Sequence, residues 1–284
     1  MNIGFVGLGH MGRPMAESLA QNGHDVLGYD AYTPALENFS GNKTQQLRDI
    51  AQHSQVIITM LPSGHELMSI YQQAFLKELS ADVLLIDCST IGPIISQQWH
   101  ELPYATVDAP VSGGVIAAQN HQLTYMLGGQ APDVENAARL LNPISHKTIK
   151  TGGPGSGQMA KICNNMILAN TMIAVSEAFL LAEKSGLDPK ILYDVVHASS
   201  GNCWVIEKYL PVPHIIENVP ANQDYIAGFS HQMMLKDLKL ATLAAKHFHQ
   251  EVPLTHEAQE IYQQCADLMG ALDFSAIFQY LKNE

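Results

Sequence analysis

Positive charge is scarce in this chain of 284 residues. Lysine and arginine together number 15 against 27 aspartates and glutamates, a formal net charge of −12. That balance leaves no basic face for sequence-independent binding, so nucleic acid is not an expected partner. An anionic small molecule is not excluded, because a local field can oppose the global one. Arginine occurs only as Arg13, Arg48 and Arg139. A lactate-type dehydrogenase clamps its substrate carboxylate with a bidentate arginine, and no arginine lies beyond residue 139 to do so.

Cysteine is sparse too. Cys88, Cys163, Cys203 and Cys265 are widely spaced and form no C-x-x-C pair. A zinc ribbon or dithiol redox motif is therefore excluded, and free buried thiols in a reducing compartment are expected. The 13 histidines are scattered without an H-E-x-x-H, and the Cys and His clusters of a zinc alcohol dehydrogenase are absent, so no metal site is expected. None of the ten tyrosines has a lysine four places on, which removes the Y-x-x-x-K arrangement of short-chain dehydrogenases. No run of about 18 apolar residues marks a membrane span. No charged leader with an apolar run precedes the strand-like Asn2-Ile3-Gly4-Phe5-Val6, so no signal peptide and a cytosolic location are expected.

What the chain does have is an alternation of apolar strands and helices. With 46% hydrophobic residues it can bury a large core, in one large or two medium domains. Residues 3–7 read as a strand, 8–11 as a glycine turn, 13–22 as a helix and 25–29 as a second strand, a β-α-β unit of about 30 residues. Within it lies Gly7-Leu8-Gly9-His10-Met11-Gly12, with Asp30 eighteen residues after Gly12. In that context G-x-G-x-x-G is a dinucleotide fingerprint. The first glycine makes the turn, the second lets backbone approach a pyrophosphate, and the third lets helix and strand pack. The helix N-terminus adds free N–H groups and a positive dipole end. Asp30 can accept from both ribose hydroxyls and would repel a 2′-phosphate. Residues 31–36 contain no Arg or Lys to hold one, so NAD is expected over NADP.

Further strands are expected at 55–61, 82–87, 104–108, 123–128 and 147–150, with helices at 94–101 and 132–141. In such a sheet, ligands sit outside the C-terminal strand ends, so the loops 61–64, 88–92 and 109–114 should converge on one crevice. After Gly157 the pattern changes. Residues 162–176 carry no charge and are apolar on all sides, the mark of a buried helix. The helix should run to about Lys184, with Gly186 as its cap, roughly 45 Å; it reads as too short and too polar for a membrane helix. Helices then follow at 189–198, 231–249, 255–268 and 275–282, with an irregular stretch at 199–228. The expected fold class is α/β: a Rossmann-type dinucleotide-binding domain (1–160), then a long interdomain helix opening an all-α domain (161–284) for substrate and dimerisation.

Oxidation of an alcohol by NAD needs a group to take the hydroxyl proton. With the tyrosine, zinc and arginine arrangements gone, lysine remains. Lys161 stands between Ala160 and Ile162 at the end of the glycine-rich 152–157. Burial or a neighbouring cation would lower its pKa toward the working range. Asn165 is four residues on, on the same helix face. Spacing alone leaves Lys161 equally readable as a snorkelling surface lysine. Lys236, beside Asp237, is a second cation that also reads as an ordinary solvated lysine.

Four motifs in order give the chain a resemblance, end to end, to the β-hydroxyacid dehydrogenase family. They are the glycine turn with Met11 inside it, Asp108-Ala109-Pro110-Val111-Ser112-Gly113-Gly114, the stretch 155–165, and Lys236-Asp237-Leu238. Lys161-Ile162-Cys163-Asn164-Asn165-Met166, Ser199-Ser200-Gly201-Asn202-Cys203-Trp204 and Tyr209-Leu210-Pro211-Val212-Pro213 resemble its hydroxyisobutyrate subgroup. The resemblance implies that Lys161 is the general acid/base and that Ser112, Gly113 and Gly114 hold the substrate carboxylate. It implies that Asn165 positions the substrate, that Leu61, Pro62 and Thr90 contact the cofactor, and that Lys236 lies near nicotinamide and substrate. A buried Lys236 would then push the pKa of Lys161 down. Lys161 and Asn165 should face Ser112–Gly114 with the nicotinamide between, and Trp204 should wall a methyl pocket or belong to the core. Asn202 stands where that subgroup usually carries arginine, and residues 205–208 also differ. The implied activity is oxidation of 3-hydroxyisobutyrate, a small carboxylate-bearing hydroxy acid, by a homo-oligomer, dimer or tetramer. A reductase of tartronate or succinate semialdehyde, or a non-catalytic NAD sensor, is the alternative. The presence of Lys161 argues against an imine reductase.

Overall fold

The computed structural model describes residues 1–71 and 74–283. The chain divides into two compact units, Met1–Lys161 and Ile162–Glu284.

In the first unit, nine strands among the described residues form one sheet. They are β1 (Asn2–Val6), β2 (Asp25–Tyr29), β3 (Asn42–Lys43), β4 (Val56–Thr59), β5 (Leu84–Asp87), β6 (Ala105–Asp108), β7 (Val111–Ser112), β8 (Thr124–Gly129) and β9 (Lys147–Gly152). Their order is β3-β2-β1-β4-β5-β6-β8-β7, with β9 paired to β8. The strands from β3 across to β6 pair in parallel. β8 runs antiparallel to β6 and β7 and parallel to β9. The chain leaves β1 in one direction through β2 and β3, then returns to lay β4 on its other side. This reversal is the switch point where a doubly wound sheet opens a crevice.

β4 and β5 are buried along their whole length, as unbroken runs such as Val56-Ile57-Ile58 require of a sheet covered on both faces. Alternate residues feed two cores. Phe5, Ile58 and Ile86 face one, with Met15, Ala16 and Leu19 of the first helix, Gly12–Gln21. Val6, Ile57 and Leu85 face the other, with Trp99 and Tyr71. Strands β3 and β7 were not anticipated. Each has two residues, too few to show a period-2 pattern.

The long helix spans Ser156–Ser185. Gly186 ends it at φ +83°. Leu187 N–H bonds the carbonyl of Ala182 at 3.0 Å, and Gly186 N–H that of Glu183 at 3.1 Å, the paired bonds of a left-handed helix cap. The second unit adds the helices Pro189–His197, Trp204–Lys208, His231–His247, Pro253–Gln264, Ala266–Met269 and Ile277–Lys282. The expected helix 255–268 starts earlier and is interrupted at Cys265, while 199–228 holds a short helix that five residues could not announce. The core of this unit gathers Ala169, Met172 and Phe179 of the long helix around Tyr262, Phe274 and Leu238.

Two expectations need correction. The long helix is not buried all round: Ile167 and Leu181 are 68% and 73% exposed, and Cys163, Asn164, Ala174 and Ala178 are exposed too. By length and a mean hydropathy of 1.5 over its most apolar stretch, it is apolar enough to cross a bilayer, with 44% of that stretch buried in the protein. The reading as too short and too polar therefore fails. Core packing of Ala169, Met172 and Phe179 gives its composition a physical reason. All four cysteines are free, but Cys163 is exposed and Cys203 only partly buried, against the expectation of buried thiols.

The third glycine of the turn offers a direct test. A Cβ on Gly12 would lie 1.9 Å from the carbonyl oxygen of Gly7 and 3.1 Å from the Phe5 ring. Gly12→Ala should cost about 1–3 kcal/mol or more through overpacking, seen as a lower urea midpoint. An unchanged midpoint would mean that the helix shifts freely.

Candidate active site

The glycine turn is built by close approach. Gly7 has φ +97°, and a Cβ there would sit 2.2 Å from the carbonyl oxygen of Met60. Gly9 has no atom within 4 Å of where its Cβ would be and, with His10, is exposed. The turn therefore leaves one bare stretch of backbone for a pyrophosphate. Leu8 and Met11 take part through backbone, since the Leu8 side chain is core and Met11 packs partly against it. Asp30 accepts from Leu8 N–H at 2.7 Å through Oδ2 and from Tyr32 N–H at 2.7 Å through Oδ1. A carboxylate has about four lone-pair sites, so each oxygen keeps one for a ribose hydroxyl. These residues fit NAD.

The loops after β4, β5 and β6 leave neighbouring strands and are bonded to one another. Leu61 N–H donates to Ser89 Oγ at 2.8 Å. Ser89 and Thr59 hydroxyls donate to Asp87 Oδ1 at 2.6 and 2.7 Å. Ala109 N–H donates to the carbonyl of Asp87 at 2.7 Å. The expected convergence of the three loops is thus seen within this unit. Pro62 is exposed, while Leu61 and Thr90 are half-buried, so all three are reachable by a ligand. Ser112 is half-buried at the end of β7. Gly113 and Gly114 follow at φ +138° and +73°. At Gly113 a Cβ would strike Ala117 Cβ at 2.6 Å, whereas at Gly114 it would meet nothing within 4 Å. Gly113 is glycine for packing and conformation, Gly114 for conformation beside open space.

The first turn of the long helix is seated by two buried side chains. Asp108 accepts from Gly155 N–H at 2.9 Å and from Gln158 N–H at 2.8 Å. Gln158 Oε1 accepts from Ile91 and Gly92 N–H at 3.0 and 3.1 Å, and its Nε2 donates to the Ser89 carbonyl at 2.7 Å. Lys161 follows one turn on. At 8% exposure it is the only buried lysine or arginine among the described residues.

In the second unit, Asn165 is 2% exposed. Its Nδ2 donates to Asp237 Oδ2 at 2.6 Å, and its Oδ1 accepts from Asn164 Nδ2 at 3.0 Å. Lys236 Nζ lies 3.5 Å from Asp237 Oδ1. Asn165 and Lys236 are thus brought together on one buried carboxylate. Lys236 itself is not buried as expected, since its side chain keeps 34% exposure. Its helix places it beside Asp237 at the protein surface. Trp204 is 52% exposed and stacks on Tyr209 at 5.1 Å, which overturns its reading as core. Asn202 donates to Glu207 at 2.8 Å.

Sequence reasoning passed over Asp87, Asp108, Gln158 and Asp237. Asp87 and Asp108 end apolar strands and Gln158 lies in a glycine-rich run. A polar residue closing a strand that is otherwise fully buried is the one signal that could have pointed to the two aspartates.

The turn, the Asp30 carboxylate and the bonded loops at the switch point define a nicotinamide-dinucleotide oxidoreductase. Residues 2–153 match the family model described as the NAD-binding domain of 6-phosphogluconate dehydrogenase. Residues 155–281 match the one described as NAD-binding of NADP-dependent 3-hydroxyisobutyrate dehydrogenase. The mitochondrial 3-hydroxyisobutyrate dehydrogenase of Rattus norvegicus is 40% identical, aligned over 99% of this chain and 87% of that protein. A probable 3-hydroxyisobutyrate dehydrogenase of Mycobacterium tuberculosis is 39% identical, over 99% and 97%. The solved structure of the Mycobacterium tuberculosis enzyme with L-serine gives a TM-score of 0.95 at 39% identity, covering 99% of each chain. The chain belongs to the β-hydroxyacid dehydrogenase family, in its 3-hydroxyisobutyrate dehydrogenase branch. It is an NAD-dependent dehydrogenase; although NADP appears in one family description, Asp30 stands where a 2′-phosphate would have to fit.

Asp87 allows a test of the loop network. It is fully buried, and desolvation raises its carboxyl from 3.8 to about 6 against the opposing bonds from Ser89 and Thr59. A raised carboxyl favours folding fully below the unfolded pKa and loses that contribution as pH rises through the folded one. Asp87→Asn removes the titration. Relative to the parent, its unfolding free energy should rise by on the order of 1–3 kcal/mol between pH 4 and pH 7. Urea melts across that range giving a constant difference would contradict this.

Proposed function

We propose that the chain oxidises 3-hydroxyisobutyrate to methylmalonate semialdehyde, with Lys161 as general base. The reading is supported by one observation above all: the single buried lysine among the described residues follows directly on a helix turn held by fixed hydrogen bonds. Its support in the comparisons is near full-length similarity to enzymes named for this substrate. Bound NAD supplies the acceptor, nicotinamide C4, for the hydride that leaves the primary carbinol carbon.

The chain's own residues do the rest. Lys161 Nζ, neutral at the moment of reaction, takes the hydroxyl proton as the carbonyl forms, and releases it to solvent after turnover. A low-dielectric setting favours that neutral form. Backbone N–H groups around Gly113 and Gly114, with the Ser112 hydroxyl, hold the substrate carboxylate, as donors in such turns can without an arginine. Asn165, its amide orientation set by Asp237 and Asn164, fixes the substrate hydroxyl, and Lys236 adds positive charge. The exposed Ile167, Leu181, Leu254 and Leu268 support assembly as a homo-oligomer, dimer or tetramer, which light scattering on the intact chain decides.

The test pairs a substrate panel with one variant. With NAD, 3-hydroxyisobutyrate should exceed serine, lactate and glycerate in kcat/KM at least tenfold, and tartronate and succinate semialdehydes should be reduced more slowly than methylmalonate semialdehyde. Lys161→Ala should lose on the order of 10²–10⁴-fold in kcat while still binding NADH. Equal activity across the panel would remove the substrate assignment, and an active Lys161→Ala enzyme would remove the mechanism.

A further inference from the structure

We propose that His100 and Asp108 act as a positioning pair for Lys161, a role that rests on the reading of Lys161 as the base. His100 closes the helix Pro93–Trp99 as its cap, and its side chain is only 5% exposed while that of Asp108 is fully buried. His100 Nε2 lies 2.8 Å from Asp108 Oδ1, and its Nδ1 lies 2.7 Å from Thr106 Oγ1. A carboxylate accepts only, so Nε2 carries the hydrogen. Nδ1 then accepts from the Thr106 hydroxyl, and the neutral imidazole satisfies both contacts. Trp99 packs edge-on against the ring at 5.3 Å.

Asp108 in turn receives the N–H groups of Gly155 and Gln158. With the helix beginning at Ser156, these are the cap position and the third helical position. They are the two donors that a capping box satisfies with two local side chains. Here one carboxylate from the end of β6 serves both, and its charge lies at the positive end of a 30-residue helix, where an anion is favoured. The approach is close enough to exclude side chains. A Cβ on Gly157 would fall 2.3 Å from the Met126 carbonyl and 2.7 Å from Asp108 Oδ2, and one on Gly128 would fall 2.6 Å from Asp108 Oδ1.

Asp108 therefore fixes where the helix starts, and Gln158 fixes its rotation through the loop at Ser89, Ile91 and Gly92. His100 supplies a side-chain donor that holds the carboxylate in the orientation both helix N–H groups need. Lys161 is three residues past Gln158, so its place is set by this clamp. A small error in the placement of a reacting group costs far more rate than stability.

The experiment compares His100→Leu, which removes the donor, with His100→Gln, whose Nε2 can donate to Asp108 without the ring. Amide hydrogen exchange of residues 152–161 and steady-state kinetics are measured on both. In His100→Leu, exchange in that segment should rise at least tenfold while that of β1 stays unchanged. Its kcat should fall at least tenfold, with KM for the hydroxyacid and Kd for NADH within threefold. His100→Gln should bring both readouts back to within threefold of the parent. If His100→Leu only melts earlier, with kcat and segment exchange within twofold, the pair is merely structural and the proposal falls. It falls equally if exchange rises uniformly over the first unit. Should His100→Leu not fold, Thr106→Val, which keeps the ring but removes its hydroxyl partner, should show at least threefold changes in the same two readouts; no change there overturns the pair. If the parent does not turn over 3-hydroxyisobutyrate, the functional reading fails on its own, and the exchange comparison still decides whether the clamp exists.

Discussion

A buried carboxylate bonded to two helix N–H groups and a histidine carries the architecture of the site. Asp108 closes β6, and its two oxygens take the N–H groups of Gly155 and Gln158 at the start of the long helix. Each of those groups would cost about 1–3 kcal/mol if left buried and unpaired. That is more than the helix propensity of any one residue in the turn. The position of the turn is thus set from the sheet and not by local sequence. Glycines at 128 and 157 follow from it, because the carboxylate and the helix backbone leave no room for a side chain between them.

The same economy appears at the other strand ends. Asp87 gathers Thr59 and Ser89, and Ser89 passes the restraint to the backbone of Leu61. Asp30 gathers Leu8 and Tyr32. Three carboxylates at the ends of β2, β5 and β6 therefore tie loops that would otherwise move independently. Only Asp30 is half-exposed, which suits it to meet a ligand, while the two buried aspartates fix the loops and helix start around them. In the second unit Asp237 does for Asn165 and Lys236 what Asp108 does for the helix start. The amide of Asn165 has its orientation fixed by Asp237 and Asn164.

Much of this was legible in the sequence. The β-α-β unit, the glycine turn, Asp30 and the cap at Gly186 follow from local chemistry: positive φ, apolar periodicity and a strand-to-helix switch. Lys161 could be singled out because other proton carriers had been excluded, but its burial could not, since an apolar neighbourhood in sequence does not say which face a helix covers. The long helix shows the limit most clearly. Ile167 and Leu181 belong to the same apolar helix as Met172 and Phe179, yet only the latter pair is buried. Asp87, Asp108 and Asp237 were missed for a related reason. Between them they act on residues up to 72 positions away, and a single sequence holds no distances. For Lys236 the residues alone suggested a solvated lysine and the resemblance a buried one; it is partly exposed, because exposure along a helix depends on what packs against it.

The most direct measurement is a structure of the ternary complex with NAD and a bound hydroxyacid. The account predicts Lys161 Nζ within about 2.6–3.2 Å of the reacting hydroxyl oxygen, with the first turn of the long helix still bonded to Asp108. A hydroxyl contacted by a different titratable side chain, with Lys161 Nζ turned away from it, would contradict the account.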